Sequence, residues 1–130
     1  MKSNKLLAKS ITLGLILAMP YGVVSAATYE GGTITGWGGA NGGTLQAGDV
    51  SNNITVTNDN DPATSQACQI VNVGATAYNT VLTGNESGTG GRQDVYGTAI
   101  ETTVWQNAQV YVRGGNASKL KNNGGVIINR

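Results

Sequence analysis

The chain has 130 residues, of which 39% are hydrophobic and 12% are charged, and its formal net charge is +1. It has one cysteine and no histidine, so it lacks the usual general base near neutral pH and the commonest metal ligand. A charge this balanced also argues against a nucleic-acid-binding protein, which needs a basic patch. We therefore expect a single domain without catalysis, cofactor, metal site, nucleic-acid partner or small-molecule substrate.

The first 26 residues have the three parts of a secretory signal peptide. A short basic stretch over residues 1–9 precedes an apolar run over residues 11–19, and Val24-Ser25-Ala26 supplies small residues for cleavage. The apolar run is too short to span a bilayer, which needs roughly 20 residues. The sequence thus predicts export, with a weakly acidic mature chain that begins at Ala27.

The rest of the chain favours strands over helices. It is rich in glycine, asparagine and threonine and poor in leucine, a composition that disfavours long helices. Its apolar residues fall in short runs bounded by Gly and Asn clusters, which is typical of β-strands. These runs lie at residues 54–57, 69–73, 104–105, 109–112 and 126–128. The fold class is therefore predicted to be all-β.

Three segments in the second half of the chain resemble one another: residues 69–81, 91–104 and 109–120. Each has a polar-apolar strand, a turn of small residues, an alanine and a second short strand. A period of 18–22 residues with two short strands per unit is typical of a β-solenoid, whose stacked coils bury a core that one coil cannot bury alone. Residues 66–130 are therefore predicted to form a β-solenoid.

The predicted coils give roles to the small residues. The repeats place equivalent alanines at Ala77, Ala99 and Ala117, which we expect to face a narrow interior. Glycine and asparagine should occupy corners that need a positive φ. Dividing the mature length by the period predicts roughly five turns. An antiparallel β-sandwich stays open as the alternative, because strand signals alone do not distinguish the two folds.

The segment before these repeats is harder to interpret. Residues 27–65 form a Gly/Asn/Thr-rich N-terminal segment that could cap the solenoid. Within it, we expect residues 31–48 to be disordered, since they combine many glycines with few apolar residues.

One repeat resembles a known family. Residues 90–104 read Gly-Gly-Arg-Gln-Asp-Val-Tyr-Gly-Thr-Ala-Ile-Glu-Thr-Thr-Val, a succession similar to the AIDA-type repeat of autotransporter adhesins. Residues 109–125 and 69–81 match more loosely, so the resemblance covers about residues 66–130. It implies a right-handed β-solenoid passenger at the cell surface or outer membrane of a Gram-negative bacterium. Family members normally carry a C-terminal β-barrel translocator, which this sequence lacks, so we expect a fragment or a short derivative.

Four residues are candidates for contact or reactivity. Tyr96, Trp105 and Tyr111 lie on neighbouring repeats, where an aromatic strip could contact glycans or a partner surface, or could instead pack as a rung of the solenoid. Cys68 lies beside a strand pattern. It is expected to be a small buried hydrophobe or a thiol open to intermolecular pairing.

The functional prediction is a secreted or cell-surface adhesin-like passenger fragment without catalysis. It would mediate adhesion to a host-cell or bacterial surface, or self-association in autoaggregation and biofilm formation. The alternative is a curli-like extracellular amyloid fibre subunit, although Val112 stands before Gly114 where such a unit would place glutamine. A carbohydrate-active enzyme on a β-helix is a third possibility, which would need a cleft of aligned carboxylates.

Overall fold

The computed structural model describes residues 26–58, 66–84 and 89–130, so residues 1–25 of the predicted signal peptide lie outside the described residues. The described ranges contain fifteen short strands and no helix. In chain order the strands are β1 (Thr28–Glu30), β2 (Thr33–Ile34), β3 (Thr44–Leu45), β4 (Val50–Asn52), β5 (Thr55–Thr57), β6 (Cys68–Val71), β7 (Thr76–Tyr78), β8 (Val81–Thr83), β9 (Arg92–Val95), β10 (Thr98–Ile100), β11 (Thr103–Trp105), β12 (Gln109–Val112), β13 (Asn116–Ser118), β14 (Lys121–Asn123) and β15 (Val126–Asn129).

Every third strand belongs to the same sheet, so the chain winds as a β-solenoid. Sheet A has the order β1-β4-β7-β10-β13, sheet B the order β2-β5-β8-β11-β14, and sheet C the order β3-β6-β9-β12-β15. Neighbouring strands within each sheet are parallel. One pass through the three sheets is called a coil here, from coil 1 (β1–β3) to coil 5 (β13–β15). The predicted all-β solenoid is confirmed, and the antiparallel sandwich is excluded.

The coils differ from the predicted repeat in two ways. Each coil has three strands rather than two, because the chain turns a further corner between sheets B and C. Equivalent residues are 22, 26, 22 and 18 positions apart along the chain, so one step exceeds the predicted period. That longer step includes residues 59–65, which lie outside the described residues.

The solenoid already begins in the N-terminal segment. Strands β1 to β5 all lie within residues 27–65 and pair in the same three sheets as the later repeats. The expectation that residues 31–48 are disordered is wrong, since they contain β2 and β3. These strands are only two residues long. Pairing with β5 and β6, rather than their own propensity, holds them in place.

Side chains at equivalent inward positions stack in columns. In sheet A, Ala77 pairs with Ala99 and Ala99 with Ala117, as the repeats predict. Ala77 and Ala99 have no exposed surface. The inward column of sheet B is Ile34, Val56, Leu82, Val104 and Asn122. Small side chains on one wall face larger aliphatic ones on the others, so the core stays filled although each coil is narrow.

A polar ladder crosses this apolar core. Gln69 and Gln93 are inward and fully buried, and Gln93 Nε2 donates to Gln69 Oε1 at 2.8 Å. Thr102 Oγ1 donates to Gln93 Oε1 at 2.9 Å, while Gln69 Nε2 donates to Ser51 Oγ at 3.1 Å. Thr80 contacts both glutamines. The ladder therefore satisfies amide groups whose burial without partners would be costly.

The corner between sheets A and B uses one backbone conformation repeatedly. Asn53, Asn79, Glu101 and Lys119 occupy the equivalent position of successive coils, and all four have a positive φ between 53° and 63°. The expected role of asparagine at corners is thus confirmed, because its side chain tolerates the left-handed region. Lys119 and Glu101 also pair across coils at 3.7 Å.

Replacing Ala99 with leucine tests the alanine column. The Ala99→Leu side chain would have to fit between Ala77 and Ala117 in a filled interior, so we expect the free energy of unfolding to fall by about 1–3 kcal/mol. Urea denaturation followed by circular dichroism measures the change. Thr98→Leu, at the half-buried outward neighbour, is the control and should change the stability by less than about 1 kcal/mol. Equal losses in both variants would contradict the assigned orientation.

The ladder can be tested in the same way. Gln93→Leu would leave Thr102 Oγ1 and Gln69 Oε1 without partners, so the free energy of unfolding should fall by about 2 kcal/mol or more. Gln109→Leu makes the same chemical change at a half-buried outward position and should be nearly neutral. A Gln93→Leu chain as stable as the unsubstituted protein would show that the ladder contributes nothing.

Candidate binding surface

The described carboxylates have structural partners and do not form a catalytic group. Asp49 accepts hydrogen bonds from the backbone N–H groups of Ala27 and Gln46, both at 2.9 Å. Glu30 accepts from asparagine side chains at the first corner. Within the described ranges, no group of three metal-ligating side chains occurs. No described helix is long and apolar enough to cross a membrane.

All three arginines of the chain gather around one tyrosine. The guanidinium carbons of Arg92, Arg113 and Arg130 lie 3.9, 5.0 and 5.9 Å from the centroid of the Tyr111 ring. Asp94 lies against two of these arginines. These five residues form the arginine–tyrosine cluster, on the outer face of sheet C.

Strand alternation explains how the sequence builds this cluster. In β9, Gln93 points into the core, so Arg92 and Asp94 on either side of it point outward. In β12, Val110 and Val112 are buried, so Tyr111 points outward between them. The register pairs Tyr111 with Asp94, which brings residues from different coils within one strand spacing, about 4.8 Å.

The cluster has more positive than negative charge. Arg92 Nε lies 2.6 Å from Asp94 Oδ1, and Arg92 Nη2 donates to Asp94 Oδ2 at 3.1 Å, so this pair is bidentate. Burial opposes the charged form of Arg92, but the hydrogen bond and charge of Asp94 raise its pKa above the ordinary value. Arg113 Nε lies 3.5 Å from the same carboxylate. Among the described residues, one carboxylate therefore faces three guanidinium groups.

Arg113 is the least satisfied member of the cluster. Its Nε atom is buried and has no hydrogen-bond partner within the described residues. Arg113 and Arg130 also occupy the same position of successive coils, because β12 and β15 pair with a shift of 17 residues. Two like charges stacked in this way would be stabilised by an anion placed between them.

A tryptophan extends the cluster toward coil 1. Trp37 is 48% exposed, and the Arg92 guanidinium lies 5.0 Å from its ring centroid. The Trp37 backbone forms a parallel bridge with Cys68, which fixes this loop beside sheet C. Arg92 thus lies close to two aromatic rings, so the surface combines flat apolar area with positive charge.

The three aromatic residues predicted as a contact strip lie in different parts of the solenoid. Tyr111 is half-buried within the arginine–tyrosine cluster, whereas Trp105 is 48% exposed at the end of β11 in sheet B. Tyr96 is 40% exposed at the corner after β9. They do not form one strip, and their role in contact stays a prediction.

Sequence analysis missed Trp37 and all three arginines as site residues. One signal could have found them: every arginine of the chain lies in the repeat region, and two of them are one coil apart. The third strand of each coil hid this relation, because without it the outward positions of sheet C could not be aligned.

Cys68 is fully buried and is a free thiol. Burial raises its pKa to about 12, with a smaller contribution in the same direction from the negative charge of Asp94. The interpretation of Cys68 as a small buried side chain is confirmed. In the folded chain this thiol stays protonated and is therefore a poor nucleophile.

Three five-stranded parallel sheets wound from successive coils place this chain in the β-solenoid class of repeat proteins. Comparisons with protein-family models, curated proteins and solved structures give no match. Arguments about function therefore depend on the described surface and on the repeat sequence.

The reactivity of Cys68 provides a test of the packing beneath the cluster. At pH 9, about half of the thiols in the unfolded chain are ionised, so a disulfide reagent should modify the folded chain on the order of a hundred-fold more slowly. Because the folded chain retains a proton that the unfolded chain releases, the free energy of unfolding should also fall as the pH rises from 9 toward 12. A Cys68→Ala chain should lack that part of the loss. Equal modification rates in the folded and unfolded chains would contradict the buried position.

Proposed function

We propose that this chain is an adhesin-like binding segment, exported to or beyond the surface of a Gram-negative bacterium, which mediates attachment or self-association without catalysis. The observation that carries the proposal is the arginine–tyrosine cluster, an outward group of charged and aromatic side chains on a stacked β-scaffold. Tyrosine, tryptophan and arginine are the residue types that most often dominate binding surfaces.

The scaffold supports a binding role. The described polar groups inside the solenoid are largely occupied by structural hydrogen bonds, as in the Gln69–Gln93 ladder. The outer faces of sheets A and B carry mainly threonine and asparagine. Solenoids of this kind present extended surfaces, and repeated weak contacts along such a surface add up through avidity.

The sequence supports the proposed location. The pattern over residues 1–26 is that of a signal peptide, and residues 90–104 resemble the AIDA-type repeat of autotransporter passengers. We expect an antibody against residues 109–121 to detect the protein in the outer-membrane or extracellular fraction of its source cells. Recovery of the protein in the cytoplasmic fraction alone would contradict the proposal.

The binding role is tested with beads coated with the purified chain. Clumping of the beads measures self-association, and their retention on layers of bacterial or host cells measures attachment. We expect one of these readouts to exceed that of albumin-coated beads several-fold. Beads coated with chain unfolded by prior heating are a second control, since they keep the sequence but lose the surface. Behaviour like that of albumin in both assays would overturn the proposal.

A curli-like fibre subunit is the second candidate, and the buried glutamine ladder favours it. Gln69 and Gln93 stack in register along parallel strands, as amides do in cross-β fibres. The next residues of this column, Val110 and Ile127, interrupt the ladder. Agitated solutions of the chain should therefore stay free of thioflavin-binding fibres. Fibres that seed fresh monomer would favour this second candidate over the first.

A further inference from the structure

We propose that the arginine–tyrosine cluster, together with Trp37, binds acidic polysaccharides through the carboxylates of their sugar rings. This inference rests on the proposed binding function and names the class of ligand for that surface. Three properties of the surface support it: surplus positive charge, accessible aromatic rings and a repeat along the solenoid axis.

The charge comes from the two arginines farther from the Arg92–Asp94 pair. Arg92 holds Asp94 through two short contacts, so that carboxylate is largely neutralised by one partner. Arg113 makes only a 3.5 Å contact with Asp94, and its buried Nε has no hydrogen-bond partner among the described residues. Guanidinium groups bind carboxylates in a planar, two-point geometry. Arg113 and Arg130 are therefore the groups available to an external anion.

The aromatic residues favour a sugar over a simple ion. The Trp37 ring is about half exposed beside Arg92, and Tyr111 is half-buried among the arginines. A pyranose ring has an apolar C–H face that packs against a flat aromatic ring, while its hydroxyl and carboxylate groups reach the surrounding donors. An inorganic anion or an acidic peptide would make no use of the exposed tryptophan.

The repeat favours a polymer. Arg113 and Arg130 lie in the same outward column of adjacent coils, so their backbones are separated by about one strand spacing, 4.8 Å. A polyuronate carries one carboxylate per sugar ring, at a spacing comparable with this one. A chain lying along the solenoid axis could thus present successive carboxylates to successive coils. The patch is also small within a nearly neutral chain, which disfavours a nucleic acid.

Polygalacturonate is the probe, and its methyl-esterified form is the matched control ligand because only the charge is removed. We expect the purified chain to bind polygalacturonate at least about tenfold more tightly than the methyl ester, with binding that weakens as salt rises. Poly-L-glutamate tests whether charge alone suffices and should bind more weakly than polygalacturonate. Equal binding to the ester, or equal or tighter binding to poly-L-glutamate, would overturn the inference.

Two double variants locate the site. Arg113→Gln with Arg130→Gln removes the two available charges without touching the Arg92–Asp94 pair, and should weaken polygalacturonate binding by about tenfold or more. Lys119→Gln with Lys121→Gln removes the same charge from exposed positions elsewhere in coil 5, and should weaken it less than about threefold. Circular dichroism verifies that both variants fold. Equal losses in the two variants would show that binding is non-specific.

The two tryptophans of the chain provide a readout at the site itself. In a Trp105→Phe chain, the remaining Trp37 fluorescence should change on addition of polygalacturonate. In a Trp37→Phe chain, the Trp105 fluorescence should not, because Trp105 lies in sheet B away from the cluster. A response of Trp105 alone would overturn the inference. Beads that still clump or attach when polygalacturonate binding is absent would leave the proposed function standing while this inference fails.

Discussion

The structure depends on one constraint: strands of successive coils must stack in parallel and in register around a narrow interior. Register decides which side chains face each other, since a shift of one residue would reverse every inward and outward position. The alanine column of sheet A meets this constraint by size, because Ala77 and Ala99 leave room for the aliphatic columns opposite. The Gln69–Gln93 ladder meets it by hydrogen bonding, because each amide finds its partner only when the coils are aligned.

The same register builds the outer surface. An outward residue in one coil lies beside its equivalents in the next, so Tyr111 meets Asp94 on one side and Ile128 on the other. Separate stretches of sequence, more than 30 residues apart between Arg92 and Arg130, thereby form one arginine–tyrosine cluster. The scaffold and the candidate site thus share a single physical cause, and a variant that shifts the register should disturb both.

Much of the fold could be predicted from sequence, and the reasons are local. Glycine and asparagine at corners, short β-branched runs and the period of Ala77, Ala99 and Ala117 each reflect a conformation that the residue itself prefers or permits. Strands β2 and β3 could not be predicted, because two-residue strands are held by their neighbours in coil 2. The arginine–tyrosine cluster was missed for a related reason: its members meet only through the third sheet, whose strands appeared in sequence to begin new units.

Distances between spin labels test the central claim, an in-register parallel stack, most directly. Outward positions of sheet A are substituted by labelled cysteines in a Cys68→Ala background, as the pairs Thr76 with Thr98 and Thr28 with Asn116. Adjacent coils should place the first pair about 5 Å apart and give strong dipolar broadening, while four coil steps should place the second pair about 19 Å apart at the backbone. A first pair farther apart than the second would contradict the solenoid and the binding surface that it builds.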